Sequence, residues 1–407
     1  MKLTALPRSF KVAAFTMHSG LISKQVLMVA LCYAGWSGVG MAQSWVPTGA
    51  PVTNWISLAA SADGAKLVAA ANNTGNSTGA VYLSIDAGTT WTPTIVTNPG
   101  WSALASSADG NSLVATPTIG VIYSSTNGGS TWRTNPVPAH SWNAIASSAD
   151  GSKLAASYFV NIIYISTNGG GTWNTNLTAM SDSTCLASSA DGTKLIAANN
   201  VGRTISSTNW GGNWLSTGSV NQYVNCMAVS VDGTHVLAGL GNAAGAGPLY
   251  SSTNSGLTWT SNTVPRRSWA AVAMSADGNT LLAVCNPSIY TSTNGGLSWV
   301  SNNVPGLNWR SAAMSADGGR MFAGAAPGGI YTLQNTPSPQ MAIGASNNVT
   351  ISWLVPSTNF VLQESLDLTP GSWMNLSNAP ILNFSNLQEQ VTLQPSNSAG
   401  FFRLITQ

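Results

Sequence analysis

The chain has 407 residues, of which 44% are hydrophobic and only 6% charged, against about 25% charged in ordinary soluble domains. The formal net charge is +2, and the sequence contains no basic stripe. A protein that works by neutralising phosphates is therefore excluded, and no nucleic-acid partner is expected.

Residues 1–42 differ from the rest. They hold Lys2, Arg8, Lys11 and Lys24 and no acid, then an apolar run at 26–31, then Gly40-Met41-Ala42. A basic start, a short apolar core and a small residue before the cut describe a secretory signal cleaved after Ala42. The apolar core is too short for a retained anchor, since a span needs about 20 apolar residues. The expected location is secreted, periplasmic or cell-surface, with no membrane span after cleavage. Ten basic residues then face twelve acidic ones, so the mature chain is near −2. Cys185, Cys226 and Cys285 remain, an odd number that is no disulfide framework. Cys185 and Cys226 hold matching repeat positions. A bridge between them stays open, with buried free thiols the favoured reading.

From residue 61 onward Ser-Ala-Asp-Gly or a near copy recurs, with its aspartates at Asp63, Asp109, Asp150, Asp191, Asp232, Asp277 and Asp317. Their separations are 46, 41, 41, 41, 45 and 40 residues. A period near 40 with strand-like content predicts a β-propeller with one blade per repeat, here seven. The third repeat shows how a blade is built. Residues 142–147 read as the first strand, Asp150-Gly151 as a tight turn, 153–157 as the second strand and 162–166 as the third. Asn168-Gly169-Gly170 is a second turn, and 172–176 is the fourth strand. The first strand is small-sided because blades converge on the axis.

The second turn resembles the Asp box, or BNR repeat, Ser-x-Asp-x-Gly-x-x-Trp. Ser84-Ile-Asp86-Ala-Gly88-Thr-Thr-Trp91 matches in full, and the boxes that start at Ser125, Ser166, Ser207, Ser252 and Ser292 carry Asn for Asp. Asn can still make the side chain-to-backbone turn bond. The seventh repeat has no box. Ser44-Trp45-Val-Pro-Thr resembles a box ending plus a fourth strand, so the mature N-terminus is expected to complete the last blade and close the ring. The propeller spans 43–335 and Pro337-Ser-Pro339 falls in a linker, 336–339. Residues 340–407 read as a small β-sandwich module, with strands at 349–353, 360–364, 372–376, 390–393 and 401–405. This module resembles the fibronectin-like tails of exported bacterial proteins.

The propeller holds nine Asp and no Glu. Seven are the repeat aspartates and one is Asp86, which leaves Asp182 outside a repeated turn. Glycoside hydrolysis needs two carboxylates about 5–9.5 Å apart. Sialidases share the Asp box, but no Arg-Ile-Pro motif and no Glu to activate a Tyr occur in this propeller. His140 and His235 have no metal-ligand spacing, so no cofactor or metal is expected.

Eight residues before each repeat Asp stand Trp55, Trp101, Trp142, Ser183, Val224, Trp269 and Trp309. These open the face opposite the two recurring turns. Two readings stay open there: an aromatic rim that stacks a ligand, joined by Arg266, Arg267 and Arg310, or indoles wedged between blades. The repeats are similar to seven-bladed Asp-box proteins such as the photosystem II assembly factors, which implies a partner-holding role. The sequence thus predicts an exported monomeric, non-enzymatic propeller that binds a protein or glycan. The alternative is a carbohydrate-active enzyme of sialidase-like or xyloglucanase-like class.

Overall fold

A computed structural model describes residues 29–31, 45–72, 79–98, 100–158, 162–177, 180, 182–220, 222–242 and 245–334. In the C-terminal part it describes 340–343, 349–354, 360–365, 372–377, 380–383, 388–393 and 400–406. The expected linker and most of the expected leader lie outside these residues. The chain divides into two units, 44–334 and the remainder.

The first unit is a seven-bladed β-propeller made of seven four-stranded sheets. Blade 1 begins with Trp55–Ala60 and Leu67–Ala71, blade 2 with Trp101–Ser106 and Leu113–Pro117, and blade 3 with Trp142–Ser147 and Leu154–Tyr158. Blades 4 to 7 open with Ser183–Ser188, Val224–Val229, Trp269–Met274 and Trp309–Met314. Within each blade neighbouring strands pair antiparallel, as in blade 3.

Blade 7 supplies only three strands of its own, ending at Ile330–Gln334. Val46–Pro47 pairs antiparallel with that strand, and Thr48 donates its backbone N–H and its hydroxyl to the Ile330 carbonyl, at 2.8 and 2.9 Å. The N-terminal closure expected from Trp45 is therefore present. Trp45 is buried with Trp309, Met321 and Leu333.

The Ser-Ala-Asp-Gly turns do more than reverse the chain. The backbone N–H at the second position of each turn donates to the corresponding carbonyl of the next blade. The bonds run from Ala62 to Ala108, Ala149, Ala190, Val231, Ala276 and Ala316, and Ala316 donates back to Ala62, all at 2.7–2.9 Å. Seven amides thus form one closed circle around the axis. Within each turn the serine hydroxyl donates to the aspartate and accepts a backbone N–H from five residues on. Ser107 Oγ, for example, lies 2.5 Å from Asp109 Oδ1 and 2.9 Å from Ser112 N. These serines are buried, so the bonds remove a desolvation cost of about 1–3 kcal/mol each. Gly151 at φ 71° and its six equivalents supply the left-handed residue that the turn requires.

The second turn obeys the same logic. Asp86 accepts from Thr90 N at 2.8 Å and from Thr90 Oγ1 at 2.6 Å. Asn127 accepts from Thr131 N at 2.9 Å but donates its own Nδ2 to Thr131 Oγ1. Exchange of Asp for Asn reverses one bond and breaks none.

Each second strand is buried almost throughout, as in Leu67–Ala71 and Leu281–Cys285, because neighbouring blades cover both of its faces. Small residues therefore extend beyond the first strand, as Ala69, Ala70 and Ala71 show. Cys185 and Cys226 are free thiols with no disulfide between them, and burial pushes Cys185 up to about 12.

In the second unit, Gln340–Ile343, Val349–Leu354, Gln388–Leu393 and Ile381–Asn383 form one four-stranded sheet. Gly400–Thr406 and Phe360–Ser365 anchor another, to which Met374–Asn375 and Val29–Leu31 add edges. Val29–Leu31 belongs to the expected leader and pairs in parallel with residues 400–402.

Candidate functional site: the channel mouth

The five rim tryptophans come together in position but not in exposure. Trp55, Trp101, Trp142, Trp269 and Trp309 are 0–2% exposed. Each sits edge-on to a tyrosine of its own blade's third strand: Tyr82, Tyr123, Tyr164, Tyr290 and Tyr331, with ring centroids 5.2–5.7 Å apart. Each also packs against the preceding blade; Trp55 shares a core cluster with Phe322 and Ile330 of blade 7. Of the two readings left open for these indoles, their burial rules out the stacking rim and fits the wedge between blades. Flat sheets arranged radially leave wedge-shaped gaps, and a large rigid ring fills the gap.

The arginines separate. Arg310 lies on the first strand of blade 7 and is exposed. Arg266 and Arg267 lie in the connection into blade 6. Arg267 is pinned there by paired backbone bonds with Gly247 at 2.8 and 3.0 Å, and its Nη1 donates to the Arg266 carbonyl.

A cavity of about 420 Å³ is lined by Asn54, Ile56, Asn225, Ala270, Asn308, Arg310 and Ala326. These residues come from the consecutive blades 5, 6, 7 and 1, and all but Ala326 lie at or just before the starts of their innermost strands, so the cavity opens at the mouth of the central channel. Four of them share one structural position. In all seven blades the pairing of the first and second strands slips by one residue just after the tryptophan position. The slipped residues are Ile56, Ser102, Asn143, Thr184, Asn225, Ala270 and Arg310. A bulge of this kind re-aims a side chain, and here it aims seven side chains of six residue types from an otherwise repetitive ring.

The bulge residues of blades 3, 4 and 5 act as latches between blades. Asn143 Nδ2 donates to the Ser183 carbonyl at 3.0 Å, Thr184 Oγ1 to the Val224 carbonyl at 2.6 Å, and Asn225 Nδ2 to the Trp269 carbonyl at 2.6 Å. Blades 6, 7 and 1 place Ala270, Arg310 and Ile56 there instead. The mouth is thus asymmetric, with a hydrogen-bonded arc and an arc that presents a guanidinium beside small and apolar neighbours. On the same face, His140 stacks on Tyr158 at 4.0 Å and meets the Tyr164 hydroxyl at 3.1 Å through Nε2. Burial holds His140 below its ordinary value.

The sequence reading missed Asn143, Thr184, Asn225, Ala270 and Ile56, because only strand register reveals them. All seven repeat aspartates accept a hydroxyl and a backbone N–H within their own turns, and hydrogen bonds from Ser148 and Ser152 hold Asp150 below the usual carboxylate range. Asp182 stands before the first strand of blade 4 at φ 56°. Among the described residues no cluster of three or more His, Cys, Asp or Glu could hold a metal.

Fold and mouth together define a seven-bladed propeller whose variable side chains gather at one end of the channel. No protein-family model and no curated protein matches the chain. Among solved structures, it is similar to YCF48 from Cyanidioschyzon merolae, with TM-score 0.55 and 17% identity over 72% of this chain and 98% of that one. It is also similar to YCF48 bound to D1 peptide, with TM-score 0.54 and 17% identity over 73% and 98%. At this identity the likeness establishes the shared propeller fold.

Proposed function

We propose that this protein is an exported, non-enzymatic binding propeller that holds a protein segment at the channel mouth, on the face opposite the Ser-Ala-Asp-Gly turns. The observation that carries the reading is the set of seven bulge residues. The repeats keep one backbone geometry there and vary only the side chain, which suits recognition by a surface rather than chemistry by a paired acid and base. Arg310 supplies the one cation of the cavity lining and would orient a backbone carbonyl or carboxylate. A propeller of the same shape has been solved with a peptide bound, which supports a peptide as ligand. The exported setting rests on residues 1–42.

The enzymatic alternative needs two free carboxylates facing one bond, whereas the repeat carboxylates are bonded inside their turns. Display selection of random peptides on the immobilised protein, run beside a glycan array and sialidase and glucanase turnover assays, tests the proposal. It expects selected peptides whose affinity falls about tenfold with Arg310→Ala, a loss of about 1.4 kcal/mol. Turnover abolished by Asp182→Asn, or glycan binding without any peptide binding, would overturn it.

A further inference from the structure

On the opposite face, a side chain three residues after each repeat aspartate reaches across to the next blade's turn. Lys66 covers Gly110, Lys153 covers Gly192, Lys194 covers Gly233, His235 covers Gly278 and Arg320 covers Gly64. In two of the three junctions where this residue is lysine, its ammonium caps oxygens of the next turn. Lys66 Nζ donates to the Asp109 carbonyl at 3.0 Å and to Asn111 Oδ1 at 2.8 Å. Lys153 Nζ donates to the Asp191 carbonyl at 3.0 Å and to the Gly192 carbonyl at 3.3 Å.

Blade 2 carries Ser112 at this position. The cleft between blades 2 and 3 is lined by Ser112, Leu113, Asp150, Gly151, Ser152 and Asn168, among others, and measures about 230 Å³. The homologous cleft between blades 1 and 2, which Lys66 helps to wall, measures about 170 Å³. The walls correspond residue by residue: Leu113 to Leu67, Gly151 to Gly110, Ser152 to Asn111, Leu154 to Leu113 and Asn168 to Asn127. The serine therefore leaves the lysine-binding walls in place and removes the lysine.

We propose that the cleft between blades 2 and 3 is a binding site for a primary alkylammonium group, a lysine side chain or a free amine, received as the neighbouring junctions receive their own lysines. Leu113 and Leu154 border a path for the methylene stem, as apolar surface does for long cationic side chains. The head would meet the Asp150 carbonyl and the Ser152 hydroxyl, beside the Asp150 carboxylate. Ser148 and Ser152 donate to that carboxylate at 2.5 and 2.7 Å, which favours its ionised form. Among the described residues, no ammonium or guanidinium donates to the Asp150 or Gly151 carbonyl. The opposing charges nearby are Arg133, whose Nη2 donates to the Gly169 carbonyl at 2.9 Å at the cleft wall, and Lys153, whose ammonium is held on the next turn but still acts on the Asp150 carboxylate. The site is independent of the channel mouth.

The test is amide chemical-shift titration of the full chain with Nα-acetyl-lysine N-methylamide, with the uncharged Nα-acetyl-glutamine N-methylamide as control. The proposal expects saturable shifts at residues 112, 151, 152 and 168 with the amine alone. Ser112→Lys, which installs the side chain that blades 1, 3 and 4 already carry, should weaken that binding about tenfold or more. Lys66→Ser should create a second responding site at residues 110, 111 and 127. Parallel arms with butylammonium and a lysine-containing peptide distinguish the sources. Tighter binding of the peptide marks a partner's lysine and equal binding marks a free amine; both support the site. No saturable shift, an equal response to the glutamine control, or shifts that persist unchanged in Ser112→Lys would overturn it.

Discussion

Replacement of Trp45 by alanine probes ring closure without touching any of the seven amides that form it. Trp45 is 6% exposed and packs with Trp309, Met321 and Leu333 of blade 7. Truncation of a buried tryptophan costs about 3–5 kcal/mol from lost transfer energy and the cavity left behind. The Trp45 indole N–H is buried without a hydrogen-bond partner, and its removal returns about 1 kcal/mol of desolvation cost. The expected net loss is therefore about 2–4 kcal/mol. The adjacent Val46 is 48% exposed, so Val46→Ala should stay within about 0.5 kcal/mol. Urea unfolding followed by tryptophan fluorescence, with Trp45→Phe as a control for the lost fluorophore, measures the difference. A loss under about 0.5 kcal/mol for Trp45→Ala would refute the reasoning that the N-terminal strand closes the last blade.

Ser148→Ala should cost about 1–3 kcal/mol in urea unfolding, because it strips the Lys153 N–H of a buried acceptor and Asp150 of a donor. Asp86→Asn should change stability by less than about 0.5 kcal/mol in the same assay, since Asn127 and Asn168 already hold equivalent turns. Burial pushes Asp317 up to about 6 from an ordinary 3.8. The folded chain then keeps a proton that the unfolded chain has released, so stability falls as pH rises from about 4 to 6, by at most about 3 kcal/mol. Asp317→Asn should abolish that component, which is read as the change in urea midpoint between pH 4.5 and 7.5 relative to the parent protein. His140 is held low, so its contribution runs the other way: it is complete above about 6.5 and fades as pH falls below that. His140→Phe should flatten the loss on acidification.

Blade number, turns and the joined last blade were legible in the sequence, because turn chemistry and period are local signals. The first and third strands of blade 3, Trp142–Ser147 and Ile162–Ser166, fall where the alternation puts them. The tail was less legible: Gln340–Ile343 and Ile381–Asn383 are strands that its pattern did not signal. The site was the least legible part. Sequence phase marked the tryptophan positions but could not tell Trp309 from Arg310 in orientation. A one-residue slip in register moves a side chain to the other face of a sheet, and the bulge at Arg310 is visible only against its partner Gly324–Ala325. The latches Asn143, Thr184 and Asn225 share a backbone position but not a single residue type, so no one motif aligns all three.

The central claim is that recognition happens at the channel mouth. Amide and side-chain shift mapping with a selected peptide tests it most directly. With a selected peptide that carries no lysine, the account predicts the largest perturbations at Ile56, Asn225, Ala270 and Arg310, with the turns at Asp109 and Asp150 silent. Perturbations confined to the turn face or to the outer strands would contradict it.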